Sequence, residues 1–329
     1  MNPFQYERAH DAAGAVRAVS ERSKFLAGGT NLIDLMKNGV ERPDVLIDIN
    51  RVSLAAIGPL PDGGVRLGAL ARNSDTANHP LVRERYPLLS RAILSGASPQ
   101  LRNMATNGGN LLQRTRCPYF MDPGFAQCNK RAPGSGCGAI DGYNRTHAIF
   151  GASDKCIAVQ PSDMCVALAA LEATVRVQGK NGERTIRMAD FHRLPGDTPA
   201  IDTDLKPDEL IISIDLPVSP YATHYHYLKV RDRASYEFAL VSVAAALDID
   251  PGNGTVRTAR IALGGVAHKP WRAETAEQLM VGEKPAPDLF EKAAQAAIAG
   301  AKPYRGNGFK VEMAKRAVAR ALATAGGMA

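Results

Sequence analysis

With 329 residues, 45% of them apolar, the chain is long enough to bury a substantial core and to form two or three domains of an ordinary soluble protein. The net charge of +7 is spread along the sequence without a Lys/Arg block or basic residues interleaved with aromatics, which argues against nucleic acid and for a modest attraction to anionic cofactors or acidic partner surfaces. No apolar run reaches bilayer-spanning length, and MNPFQYERAHDAAGAV lacks the basic-then-apolar order of a secretory signal, so neither membrane insertion nor export on its own signal is expected.

A short strand is expected at 4–6 and a helix at 11–23, where Ala12, Val16 and Val19 fall at helical spacing. Residues 24–27 read as a strand, Gly28-Gly29-Thr30-Asn31 as a turn, and 32–37 as a short helix with Leu32, Leu35 and Met36 inward. A strand, glycine turn and helix can aim successive N–H groups at an anion, although many such junctions merely turn the chain. The turn is neither the GxGxxG fingerprint nor a Walker A sequence. Strands follow at 45–49 and 65–67, with Pro61-Asp62-Gly63-Gly64 as a hairpin turn. A helix is expected at 73–78, and 81–96 continues in one helical rhythm through Leu88, Leu89, Ala92 and Ile93. Then comes a second glycine turn, Ala105-Thr106-Asn107-Gly108-Gly109-Asn110-Leu111. Two turns, each beside a Thr and an Asn, are read most economically as a clasp for a pyrophosphate.

Residues 100–168 hold all five cysteines. Cys117, Cys128, Cys137 and Cys156 are separated by 10, 8 and 18 residues in a stretch with no helical or strand periodicity. Tyr119, Phe120, Phe125, Tyr143 and Phe150 are too many aromatics for a solvated linker, so a crosslink or metal centre is expected to hold the loop. Disulfides would need an oxidising compartment and usually a small, core-poor domain. Structural zinc usually takes cysteines two to four residues apart, and there is no such pair. An iron-sulfur cluster tolerates wider spacing. Buried free thiols fit Cys165 better than the loop cysteines. Arg114, Arg116, Lys130 and Arg131 face only Asp122 in charge over 113–131, which suits either an anionic cluster or a solvated basic loop.

Ser162 reads as the N-cap of a helix at 164–171, with Asp163 favouring the helix dipole in the first turn. A hairpin is expected around Lys180-Asn181-Gly182 and a strand at 209–216. The composition then shifts. Strands at 225–230, 239–248 and 256–266 precede helices at 273–281, 287–299 and 309–325, the pattern of a separate α+β domain. His224 and His226 are expected on one strand face but have no third ligand. No catalytic triad or paired-carboxylate site is present.

Taken in order, Ala27-Gly28-Gly29-Thr30-Asn31-Leu32, Thr106-Asn107-Gly108-Gly109-Asn110, Pro161-Ser162-Asp163-Met164, Leu228-Lys229-Val230 and Phe238-Ala239-Leu240-Val241 resemble the FAD-binding subunits of the xanthine dehydrogenase family of molybdenum hydroxylases, over nearly the whole chain. The cysteine insertion is similar to that of the family's periplasmic aldehyde oxidoreductase branch in residues 116–120, 128–131 and 134–137; benzoyl-CoA-type reductases of the family also carry a 4Fe-4S cluster. The resemblance implies an α+β fold: a two-lobed FAD domain of vanillyl-alcohol-oxidase type (1–220, lobes near 1–55 and 56–220, cysteine loop 114–157), then an α+β domain (221–329). It implies FAD on Leu26, Ala27, Gly28, Gly29, Thr30, Asn31, Leu32, Thr106, Gly109, Asn110, Asp163, Ile211 and Lys229. A 4Fe-4S cluster is implied on Cys117, Cys128, Cys137 and Cys156, with Cys165 in the core. It further implies an αβγ complex in which a molybdenum-cofactor subunit oxidises substrate, a 2Fe-2S subunit relays electrons and this subunit passes them to an external acceptor. The competing expectations are the flavin subunit of a related hydroxylase or benzoyl-CoA-type reductase, and a zinc-stabilised scaffold without flavin. Periplasmic location would come through a co-exported partner, with the cytoplasm as the alternative.

Overall fold

The computed structural model describes residues 1–328. Its strands form three sheets. The first holds β1 (Gln5–Arg8), β2 (Ser23–Leu26) and β3 (Val45–Asp48), all parallel, in the order β1-β3-β2. Helices Ala12–Arg17 and Leu32–Lys37 make the crossovers. The first begins where Asp11 Oδ1 accepts the Gly14 N–H at 2.6 Å. It ends six residues earlier than its periodicity predicts, because Ser23 Oγ donates to the Ser20 carbonyl and accepts the Ser20 N–H, closing a turn that starts β2.

The second sheet contains β4 (Ile57–Pro59), β5 (Val65–Gly68), β6 (Thr174–Gly179), β7 (Gly182–Arg187) and β8 (Leu210–Leu216), antiparallel in the order β4-β5-β8-β6-β7. Helices Pro87–Ser95 and Asp163–Ala170 share its core with Val65, Leu67, Val175 and Ile214. The single helix expected at 81–96 is two, Pro80–Arg85 and Pro87–Ser95. Pro87 drives the preceding Tyr86 out of helical space, to φ −132° and ψ 51°. The second glycine turn is also more regular than expected: Asn107–Leu111 is a short helix capped by Thr106.

The third sheet, antiparallel in the order β12-β11-β10-β9, consists of β9 (Tyr225–Val230), β10 (Val241–Ile249), β11 (Val256–Gly264) and a two-residue β12 (Trp271–Arg272) that short apolar patterning does not announce. Strand β10 is buried on both faces. Val243, Ala245 and Leu247 face helices Glu274–Met280, Pro287–Ala297 and Phe309–Ala325, while Ala244 and Ala246 join the core around helix Asp163–Ala170. A β-carbon at Gly264 would collide with Val166 and Ser242, so glycine there lets that helix lie against the sheet. His224 falls just before β9, its Nδ1 3.2 Å from the Ala325 carbonyl, and forms no metal pair with His226.

Candidate functional site

The first glycine turn leaves the carboxyl end of β2, the edge of a parallel sheet where open α/β folds take ligands. Among the described residues, no acceptor in the chain takes the N–H groups of Gly28, Gly29, Thr30 or Asn31. Gly29 has φ 72°, and a β-carbon on Gly28 would overlap the Met104 carbonyl oxygen, so two glycines are needed to reverse the chain against the segment before the second turn. The four open donors border a chamber of about 370 Å³ whose walls include Phe25, Ala27, Ile49, Leu70, Leu111 and Ile211. Leu32, Thr106 and Gly109 line it as well; Leu26 does not.

The second turn is built differently. Its N–H groups are committed within the fold: Asn107 to the Ala71 carbonyl, Gly108 to that of Ala69, Gly109 to Thr106 Oγ1 and Asn110 to the Thr106 carbonyl. The expectation that both turns offer free backbone donors is thus corrected; only the first does. The second turn is fixed by a polar network missed in the sequence. Asn107 Oδ1 accepts from Asn73 and Thr76, Asn107 Nδ2 donates to the Gly68 carbonyl, and Asn110 is joined to Asn73, Gln113 and Ser162. The flanking Thr and Asn residues were the available signal.

Asp163 and Lys229 border a second chamber, of about 360 Å³, that shares Thr30, Asn31 and Gln113 with the first. Lys229 Nζ lies 2.7 Å from Asp163 Oδ2 and also donates to the Ser95 carbonyl, and Tyr227 donates to Asp163 Oδ1 at 2.7 Å. Asn110 and the polar side chains of Asp34, Arg102 and Arg116 line this chamber too. The two chambers adjoin at the first turn, where Thr30 and Asn31 line both.

Cys117, Cys128, Cys137 and Cys156 converge on one small void near the first chamber, although they span 40 residues of irregular chain. Burial pushes the Cys117 thiol up to about 11. Cys137 is drawn down to about 6, first by a hydrogen bond from Cys156, then by the N–H groups of Ala139, Ile157 and Ile140; Cys156 moves up in return. Among the described residues, no group of three or more His, Cys, Asp or Glu side chains closes on a single point as one metal ion requires. Cys165 lies elsewhere, fully buried in helix Asp163–Ala170. The loop is not held by sulfur alone. Asn129 Oδ1 accepts from Gly134 and Gly136, Arg131 donates to the Tyr119 and Phe120 carbonyls, and Cys128 and Cys137 form an isolated β-bridge. Two lysines of the loop, Lys130 and Lys155, border the void, but its arginines do not; Arg116 pairs with Asp34, Arg114 with Glu41 and Asp202, and Lys130 itself also pairs with Asp202.

The chain matches two family models, the FAD binding domain in molybdopterin dehydrogenase over residues 2–219 and the CO dehydrogenase flavoprotein C-terminal domain over 225–328. It is 51% identical over 329 residues to the aldehyde oxidoreductase FAD-binding subunit PaoB of Escherichia coli, covering 99% of each chain. It is 30% identical to the glyceraldehyde dehydrogenase medium chain of Sulfolobus acidocaldarius, covering 88% of this chain and 84% of that one. Among solved structures it resembles carbon monoxide dehydrogenase from Hydrogenophaga pseudoflava, with TM-score 0.77, 29% identity, and coverage of 99% and 98%.

Proposed function

The chain belongs to the FAD-binding subunits of the molybdenum hydroxylases, a family of oxidoreductases, and from that premise we propose that it binds one FAD along the two-chambered cleft and transfers electrons within an aldehyde-oxidising complex. The observation that carries this reading is the run of four unbonded N–H groups from Gly28 to Asn31, a turn whose Thr30 and Asn31 border both chambers. Such donors suit a pyrophosphate. Leu26 supports the turn as the end of β2, Ala27 and Leu32 flank it, and Thr106 and Gly109 form the facing wall. The two chambers that flank the turn suit the two aromatic ring systems of FAD, with Ile211 beside one and Asn110, Asp163 and Lys229 beside the other. Bound FAD supplies the redox chemistry, and the protein orients it and excludes water.

Within the complex, a molybdenum-cofactor subunit and a 2Fe-2S subunit are the partners, and an external acceptor takes the electrons. The convergence of Cys117, Cys128, Cys137 and Cys156 supports a 4Fe-4S cluster, whose corners keep its thiolates farther apart than ligands of a single ion. The zinc-scaffold reading loses ground on the same geometry. We keep the division into domains 1–220 and 221–329. No helix among the described residues is long and apolar enough to cross a membrane, and we propose periplasmic location through a co-exported partner, the expectation that the resemblance of the cysteine insertion carries. The purified complex is mixed with an aromatic aldehyde without oxygen while the flavin bands are followed. Bleaching supports the reading; a complex with no flavin absorbance, or with bands unmoved while the molybdenum subunit turns over, overturns it.

A further inference from the structure

We propose that Asn50 is a positioning residue for the cofactor's phosphates: its side-chain amide holds the Ala27 carbonyl and so aims the Gly28 N–H, the first of the four open donors, away from itself. The inference rests on the reading above that the first turn takes the pyrophosphate of FAD, and it is independent of which ring system lies in which chamber. Asn50 follows the end of β3 by two residues. Its Nδ2 lies 3.0 Å from the Ala27 carbonyl oxygen and 2.7 Å from Asp48 Oδ1. The Leu26 carbonyl, at 3.4 Å, already accepts the Ile49 N–H. Both close neighbours are acceptors only, so the NH2 end of the amide must face them, and its two hydrogens are committed there. The Ala27 carbonyl takes no other donor among the described residues.

The consequence for the turn comes from the planarity of the peptide. The Ala27 carbonyl and the Gly28 N–H belong to one unit, and in a trans unit they point in opposite directions. Asn50 is exposed and stands outside the first chamber, whereas Ala27 and Gly28 border it. A bond on the outer side of the unit therefore turns its N–H to the inner side. Without that bond the unit can swing about ψ of Ala27 and φ of Gly28, and glycine resists the swing least. Asn50 is itself anchored. Asp48, only 7% exposed, accepts the Asn50 N–H on Oδ1 at 2.8 Å, while its Oδ2 accepts the Tyr6 hydroxyl and lies 3.6 Å from Arg8 Nε. The relay crosses the carboxyl edge of the first sheet: Tyr6 and Arg8 of β1 hold the carboxylate of β3, the carboxylate holds the amide, and the amide holds the peptide that leaves β2.

The test uses the assembled complex, depleted of flavin, with wild-type chain, Asn50→Leu and Asn50→Asp. Dissociation constants are measured for FAD, FMN and riboflavin, which share one ring and differ in phosphate, with the denaturant midpoint and subunit composition of the depleted complex as controls for folding. Asn50→Leu keeps the size of the side chain without the donor; it should weaken FAD and FMN by on the order of tenfold each and leave riboflavin unchanged. Asn50→Asp sets a carboxylate against Asp48 and the Ala27 carbonyl and should show the same split with a larger loss, and it carries the test if the leucine variant does not assemble. A folded Asn50→Leu complex with wild-type affinity for FAD and FMN, or one that loses FMN and riboflavin in equal measure, overturns the inference and leaves the FAD reading standing. A wild-type complex that binds riboflavin as tightly as FMN overturns the placement of phosphate at the turn and the inference with it, and one that binds no FAD overturns the reading itself.

Discussion

Lys229 Nζ and Asp163 Oδ2 are 2.7 Å apart, with the two side chains only 4% and 7% exposed, although 66 residues separate them in sequence. The lysine comes from β9 and the aspartate from the first turn of helix Asp163–Ala170, so the pair ties the third sheet to the rest of the molecule beside the second chamber. Removing one partner strands the other. Lys229→Met should destabilise the folded chain by about 3–5 kcal/mol and lower FAD affinity, whereas the double change Lys229→Met with Asp163→Leu should recover stability without recovering affinity. Chemical denaturation and FAD titration of the three chains separate the two effects.

Iron and acid-labile sulfide per chain distinguish the ligands of the cysteine void. If these thiols hold the proposed 4Fe-4S cluster, Cys117→Ser, Cys128→Ser, Cys137→Ser and Cys156→Ser should each lose its iron and sulfide, because metal binding and local folding are coupled. Cys165→Ala should retain it at a packing cost of roughly 1 kcal/mol. Full iron in Cys156→Ser, or none in a folded Cys165→Ala, would show that the fourth thiol is misassigned.

The Lys130–Asp202 contact predicts a pH dependence. Burial opposes ionisation of Asp202, but Lys130 and Arg114 outweigh it and hold the carboxyl below its ordinary 3.8. A depressed carboxyl contributes stability that is present above the unfolded value and lost as pH falls through the folded one. Asp202→Asn should therefore destabilise the chain at neutral pH by about 2–4 kcal/mol, allowing for the partial exposure of Asp202. The gap to wild type should narrow as the pH drops below 3.8. Denaturant midpoints measured from pH 7 down to acid unfolding check this; a gap that stays constant would mean the carboxyl charge contributes nothing.

Much of the frame could be read from the chain because it is local. The strand, glycine turn and helix around Gly28 to Leu32 need only neighbouring residues, and the cap at Ser162 stands where a short polar side chain precedes an apolar run. The break at Tyr86 was also local, yet the apolar rhythm on both sides of Pro87 hid it. What the sequence could not yield were meetings across distance. Lys130 finds Asp202 over 72 residues, and Asn73 reaches Asn107 over 34. His268 enters the first chamber from a loop with no patterning of its own. The basic residues near the cysteines looked like a field for an anion, and most of them turned out to hold carboxylates and backbone carbonyls.

The central claim is that one dinucleotide spans both chambers across the Gly28 turn, and comparing FAD with FMN tests it most directly. FMN has the ring and one phosphate but lacks the adenosine half that one of the two chambers would receive. Titrating flavin-depleted protein with each, the account predicts one FAD per chain bound at least about a hundredfold more tightly than FMN, a difference of about 2.7 kcal/mol. Equal affinity for the two flavins, or no binding of either by folded protein, would contradict it.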